Sequence, residues 1–357
     1  MSFFNRKRIN LDTAGGENNP SAIYREGVKA KKELENARTT IARILEVQAR
    51  DVVFTSGGTE ADNLAILGVF EAAKEHVLKP HIIVSSLEHP AILESAKEAQ
   101  RRGAEVTIIE AEDGLVSAET VLEAIKENTV LVSVMYVNNE TGVIQPVPKI
   151  SRGLAEFKKK NDTKYPYMHT DASQAAGLLS LHVSSIGVDL MTLDAGKVRG
   201  SKGAGLLVVR PGVPIMPIIF GGGQERGLRS GTENVSAVVS FAEALESATK
   251  MRTEESVRLQ ALKDFFINEI KGRFPNVVIN GASAPSAPHI VSLTFPGKLH
   301  EFLAIKLDKE GVLVSTGSSC SSGKNEEDKE ALRFSFGRKT TKNDIEKTTR
   351  ILESILL

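Results

Sequence analysis

The sequence predicts an α/β fold: a large domain with a mostly parallel, seven-stranded sheet flanked by helices, followed by a smaller α+β C-terminal domain. Three observations carry this. Short apolar runs alternate with amphipathic helical runs from about residue 20 onward. The apolar runs are nearly continuous, the pattern of strands buried on both faces. Near residue 233 the alternation gives way to one long helical stretch and then to short strands. The division places residues 15–245 in the large domain and 246–357, with 1–14, in the small one.

The elements follow in order. "SAIYREGVKAKKELENARTTIARILEV" spaces Ile23, Val28, Leu34, Ala37, Ile41 and Ile44 as one helical stripe, and "DVVFTSG" after it is a strand. Helix "TEADNLAILGVFEAAKEH", strand "HIIVSS", helix "PAILESAKEAQRRG", strand "EVTIIEA", helix "SAETVLEAIKEN" and strand "TVLVSVMYV" continue the alternation. Next come helix "VPKISRGLAEFKKKN" and strands "YPYMHTDA", "VDLMTLDA" and "GAGLLVV". A helical stretch then runs to about 272. "NVVING", "HIVSLTF", a helix at "HEFLAIKLDKEG", "VLVS" and a final helix "TKNDIEKTTRILESIL" make up the second domain.

Composition is that of an ordinary globular chain, with 41% hydrophobic and 25% charged residues among 357. Forty-five Lys and Arg balance forty-five Asp and Glu, which gives no argument for nucleic acid or an anionic membrane as the main partner. The opening "MSFFNRKRINLD" has no apolar stretch after its basic residues, so we expect a cytoplasmic protein. One cysteine, Cys320, allows no intramolecular disulfide, which suits a reducing compartment. It lies in "GVLVSTGSSCSSGK", where little apolar surface is available to pack a structural thiol.

In open α/β sheets ligands lie beyond the carboxyl ends of the strands. Here "TSGGTEADN" follows the first strand, and its Gly57, Gly58 and Thr59 open a helix whose free N–H groups would hold a phosphate. His89 follows the second strand in "EHP", "NNETG" follows the fourth, and "TDASQ" follows the fifth. "VDLMTLDA" leads into Gly196 and Lys197. A phosphate cradle, an imidazole, an Asp and a Lys at successive strand ends are the parts of a pyridoxal phosphate site. The Lys forms the Schiff base, and the Asp keeps the pyridine nitrogen protonated. Gly196-Lys197 is followed by Val198 and makes no P-loop, and "GSKGAG" lacks dinucleotide-binding spacing.

"NPSAIYREG", "FTSGGTEADNLAILG", "VSVMYVNNETGVIQPV", "HTDASQAAG", "GGGQERGLRSGTENV", "STGSSCSSG" and "LRFSFGR" together resemble the cysteine desulfurases of the NifS/IscS type. These are class-V aminotransferases within the fold-type I pyridoxal phosphate enzymes. The resemblance implies that Lys197 is the Schiff-base lysine and that His89 stacks on the cofactor ring. It implies that Asp171 pairs with the ring nitrogen, that Asn139 and Gln174 lie near the phenolic oxygen and substrate, and that Thr59 and Gly58 hold the phosphate. Thr232 would reach the phosphate of a neighbouring subunit in a homodimer. Arg333 would grip the carboxylate of L-cysteine, and Cys320 would receive its sulfur as a persulfide. The sulfur would pass to an acceptor or iron-sulfur scaffold protein, for cluster assembly or transfer RNA thiolation. Other readings are a selenocysteine lyase and a catalytically weak cofactor-binding scaffold or regulatory subunit.

The chain departs from that family at four places. "LDTAGGENNPSA" omits a helical stretch near the expected site entrance, and the segment between Cys320 and Arg333 is short. Gly196 stands where a His usually precedes the lysine. Asp194 stands in place of a phosphate-binding Ser, where a carboxylate would repel the phosphate unless a cation such as Arg199 or Lys202 intervened or the side chain turned away.

Overall fold

The computed structural model describes residues 9–16, 18–317 and 331–356. The first helix, α1 (Arg25–Leu45), buries Ala30, Leu34, Ala37, Ile41 and Leu45. Ile23 precedes it and is exposed, as is Val28, so the apolar stripe begins one turn later than its spacing suggests. Then follow β1 (Val52–Thr55), α2 (Gly58–Ala73), β2 (His81–Ser85), α3 (Pro90–Arg101), β3 (Glu105–Ile109), α4 (Ala118–Glu123), β4 (Thr129–Ser133) and α5 (Val147–Lys160). The large sheet is completed by β5 (Tyr167–Asp171), β6 (Leu190–Asp194) and β7 (Gly205–Val209). A single turn, α6 (Val183–Ile186), stands between β5 and β6.

The seven strands lie in the order β1-β7-β6-β5-β4-β2-β3. Pairs from β3 through β6 are parallel, while β7 runs antiparallel to both β6 and β1. Two reversals restore direction, so β1 points the same way as β2 to β6. All six therefore end at one edge.

The pleat sorts side chains between two cores. Phe54, Ile83, Val132, Met168, Met191 and Leu193 pack on the face covered by α1, α5 and the start of the long helix α7 (Val235–Arg273). Val53, Ile82, Val84, Leu131, Tyr167, Leu190 and Leu207 pack under α2 and α3. Because α2 is covered on nearly every side, it is buried almost all round, from Ala61 to Ala73.

With 39 residues α7 is roughly 58 Å long at helical rise, and it runs unbroken through residue 245. Its first half packs Phe241 and Leu245 into the large domain. Phe266 and Ile270 in its second half join a separate core with β9 (Ile290–Thr294), α8 (His300–Lys309), β11 (Leu332–Ser335) and α9 (Lys342–Leu356). The small sheet is antiparallel, in the order β10-β11-β9-β8, with β8 (Val278–Ile279) and β10 (Ser315–Thr316) each of two residues. "VLVS" is mostly not strand: of its residues Ser315 alone pairs, and Leu313 is exposed. Among the described residues no helix is long and apolar enough to cross a membrane.

The outer edge of β1 is closed by side chains. Arg38 of α1 and Glu225, both nearly fully buried, form two hydrogen bonds of 2.7 Å. Arg38 also donates to the Val52 carbonyl, and Glu225 accepts from the Phe54 N–H. The pair thus occupies an edge that would otherwise present free backbone groups. Removing one partner leaves a buried charge, so Arg38→Met should cost roughly 3–5 kcal/mol in urea unfolding. Adding Glu225→Gln, which keeps an acceptor for Phe54, should recover part of the loss.

Candidate active site

On the face under α2 the strands change character toward their ends. Leu131 gives way to Ser133, Tyr167 to His169 and Asp171, and Leu190 to Thr192 and Asp194. Period-two alternation puts each series on one face, so the polar groups collect at the common strand edge. His169 bridges three strands there, with Nδ1 2.8 Å from Ser133 Oγ and Nε2 3.1 Å from Thr192 Oγ1. Burial pushes its pKa down to about 3, so it is a neutral strut and not a charge.

Above this layer opens a cavity of about 430 Å³. It is lined by Gly58, Thr59, His89, Asn139, Asp171, Gln174, Lys197 and Arg333, among others. Eight expected site residues thus come from the first turn of α2, four loops of the large domain, the end of β5 and one strand of the small domain. Thr232 is exposed and lies outside this cavity, in a surface depression with Lys29 and Ala30. Cys320 lies outside the described residues. The strands on either side of its segment are placed: Thr316 pairs with Leu332 and Ser315 with Arg333.

Individual geometries follow from local structure. His89 caps α3, and its Nδ1 accepts from the Ala91 N–H at 3.1 Å, which assigns the proton to Nε2. Burial holds its pKa below the usual value, Asp171 pulling the other way and Lys197 adding to the fall. Asp171 accepts from the Ser173 N–H at 2.9 Å; burial raises its pKa, Ser173 offsets part of the rise, and Asp194 adds to it. A cation against the cavity side of Asp171 would relieve that, so the carboxylate suits a protonated ring nitrogen. Arg333 reaches across from β11 to the Asn139 carbonyl at 2.9 Å, tying the two sheets together at the cavity.

The other end of the cavity differs from expectation. Asp194 does not turn away: its Oδ2 accepts from the Gly58 N–H at 2.8 Å and its Oδ1 from the Gly196 N–H at 2.8 Å. A Cβ on Gly196 would lie 3.1 Å from Oδ1, so Gly196 and Asp194 are one device and not two separate departures. The loop is held close by Gly205, where a Cβ would fall 2.5–2.8 Å from the Gly57 backbone. Lys202 lines the cavity, while Arg199 is directed to Gly337, away from it. The residues therefore fit a pyridine ring and its lysine partner, but the N-terminus of α2 already holds a carboxylate.

Sequence reasoning missed three buried polar residues in and behind the cavity wall, of which Asp62 and Ser173 line it. Asp62, one turn into α2, is buried with Oδ1 unpaired, and burial raises its pKa well above the ordinary value, with Asp171 adding to the rise. Ser173 Oγ is buried and has no hydrogen-bond partner among the described residues. Glu88 sits beside His89 and accepts from Ser85 Oγ at 2.5 Å and the Met135 N–H at 2.8 Å. The signal was a charged residue inside the short strand-end motif "EHP", where exposure is not available.

Burial pushes Glu88 from 4.5 up to about 8. The folded state then holds a proton that the unfolded state releases, so this stabilisation is complete below about pH 4.5 and is lost as pH rises toward 8. Glu88→Gln keeps an acceptor and cannot ionise. Its unfolding free energy should fall less than that of the unaltered chain between about pH 5 and pH 8, measured by urea denaturation at each pH.

A family model described as Aminotransferase class-V matches residues 11–348. The chain is 36% identical over 352 residues to the cysteine desulfurase IscS of Dictyoglomus turgidum, covering 95% of this chain and 87% of that one. Of solved structures, a NifS-like protein superposes with a TM-score of 0.86 at 33% identity, over 95% of this chain and 91% of that chain. SspA in complex with cysteine superposes at 0.70 with 30% identity, over 89% and 90%. With a family model spanning nearly its full length and relatives of this identity over most of both sequences, the chain belongs to the class-V aminotransferase family, in its IscS/NifS-like cysteine desulfurase branch.

Proposed function

We propose that this chain is a pyridoxal phosphate-dependent cysteine desulfurase. L-Cysteine and the Cys320 thiol become L-alanine and a Cys320 persulfide, and the sulfur then passes to an acceptor or iron-sulfur scaffold protein. The atoms balance: the C–S bond of the substrate breaks, an S–S bond forms at Cys320, and a proton takes the place of sulfur on the substrate carbon. One observation carries the reading. Lys197, His89 and Asp171 from the large sheet share a cavity with Arg333 from the small one.

Bound pyridoxal phosphate supplies an electron sink for the pair left when the substrate α-proton departs. Asp171 would keep the ring nitrogen protonated, and the ring of His89 would cover its face. The Lys197 amine would hold the cofactor and then move the proton at the α-carbon. The planar guanidinium of Arg333 suits the substrate carboxylate, and its tie to Asn139 aims it into the cavity. Cys320 belongs to the segment between β10 and β11, whose paired ends flank Arg333. That anchoring supports a thiol working next to the carboxylate site.

Thr232 supports the homodimer reading, because it is exposed and lies outside its own cavity, in a surface depression with Lys29 and Glu33 of α1. The single cysteine suits work in the reducing cytoplasm. A cofactor-binding scaffold of low turnover is the second reading, favoured by the carboxylate of Asp194 at α2.

The decisive experiment measures alanine and protein-bound sulfane sulfur from L-cysteine with added cofactor. Both products should form in the unaltered chain, and neither should form in Cys320→Ala. Lys197→Ala should lower alanine formation by roughly 10²–10⁴-fold or more. Alanine from selenocysteine but not from cysteine would replace the desulfurase with a lyase, and cofactor binding with neither product would leave the scaffold.

Arg333→Ala should raise the KM for cysteine by about tenfold or more, the loss of one charge-assisted hydrogen bond. An unchanged KM would remove Arg333 from the carboxylate site.

A further inference from the structure

The N-terminus of α2 gathers donors for an anion: the Gly58 N–H, the Gly196 N–H of the neighbouring loop, and the positive end of a buried 16-residue helix. Ser173 adds a hydroxyl that is 6% exposed and unpartnered, lies in the same cavity wall, and is 3.6 Å from where a Cβ on Gly58 would stand. An anion is already present, and it belongs to the chain. Asp194 spans both N–H groups, one oxygen to each. The glycines close around it, since a Cβ on Gly57 or Gly58 would lie 3.3 or 3.5 Å from Oδ2.

We propose that Asp194 is an internal occupant of this anion seat, so that the site holds a pyridine aldehyde mainly by its ring end and its 5′-phosphate competes with the Asp194 carboxylate for Gly58 and Gly196. The proposal rests on the cofactor reading above and deepens it. A phosphate dianion entering the cavity meets a carboxylate that its own donors already satisfy. It must displace Asp194 from two backbone N–H groups or bind beside a like charge. Lys202, also in the cavity wall, is the cation best placed to receive either anion. A non-phosphorylated aldehyde meets no such conflict. The chain should therefore lack the strong preference for the phosphorylated cofactor that an open helix terminus confers.

The experiment titrates the full chain with pyridoxal phosphate and with pyridoxal, following the absorbance of the Lys197 adduct and locating it by borohydride trapping and peptide mass. In the unaltered chain the two affinities should lie within about tenfold, a difference of about 1.4 kcal/mol. Asp194→Asn and Asp194→Ser should tighten pyridoxal phosphate by about tenfold or more and change pyridoxal by less than about twofold. Inorganic phosphate should compete with pyridoxal phosphate in Asp194→Ser and not in the unaltered chain.

Equal tightening of both aldehydes, or no tightening of the phosphorylated one in either variant, would overturn the proposal. So would a preference for pyridoxal phosphate above about a hundredfold in the unaltered chain, a result that needs no variant to fold. Failure of both aldehydes to modify Lys197 would overturn the cofactor reading and the proposal with it.

Discussion

Parallel pairing is the constraint on which the rest of this structure depends. A parallel strand can be reached only by a crossover, and the crossovers from β2 to β6 bring every strand back to start at the same edge. Their carboxyl ends then share the opposite edge, and so do the loops that carry His89, Asn139, Asp171 and Lys197. The antiparallel β7 does not disturb this. Pairing antiparallel with both β6 and β1, it leaves β1 pointing the same way as β6, so that the turn after β1 with Gly57 and Gly58 joins the same edge, held close by the missing side chain of Gly205.

A second consequence is where charge can be kept. Ser133, His169 and Thr192 near the strand ends under α2 are fully buried, so they exist in a low-dielectric layer. His169 stays neutral between two hydroxyls, and Glu88 retains its proton far above the normal carboxylate range. Asp171 has its pKa raised by the same burial and faces the cavity. A buried floor from which the Asp171 carboxylate lines the cavity is a good base for a cationic ring nitrogen. The buried pair Arg38–Glu225 solves a different problem with the same chemistry, satisfying the outer edge of β1 where, among the described residues, no further strand pairs.

Much of this was legible in the residues themselves. Period-two and helical spacings located the strands and helices of the large domain, because both faces of its sheet are buried and each strand reads as an apolar run. The short strands of the small domain were less legible. β8 and β10 have two residues each, too few to show a period, and the apolar run "VLVS" instead leaves Leu313 in solvent. The stripe of α1 was read one turn early, since Ile23 has helical spacing but lies before the helix begins. In the candidate site, Lys197, His89 and Asp171 were legible from residue type and place after strands, and Arg333 only from the family resemblance of "LRFSFGR". Asp62 and Ser173 were missed because their significance comes from burial, of which a lone residue carries no mark, and Glu88 was marked only by its place in "EHP".

The sequence by itself determined which residues are chemically equipped: a thiol without partners, a lysine and an aspartate after strands, glycines opening a helix. It also announced that Asp194 and Gly196 were unusual. The bond from the Gly196 N–H to Asp194 is local, two residues apart, but tertiary structure alone decided what the other carboxylate oxygen meets. Asp194 ends β6 and Gly58 begins α2, 136 residues apart, and no local pattern relates them. The sheet brings the end of β6 to the turn after β1, and a carboxylate placed there accepts from the first N–H of α2 as well as from the Gly196 N–H of its own loop. Direction and distance, set by the packing of strand against helix, turned an apparent repulsion into a seat already filled.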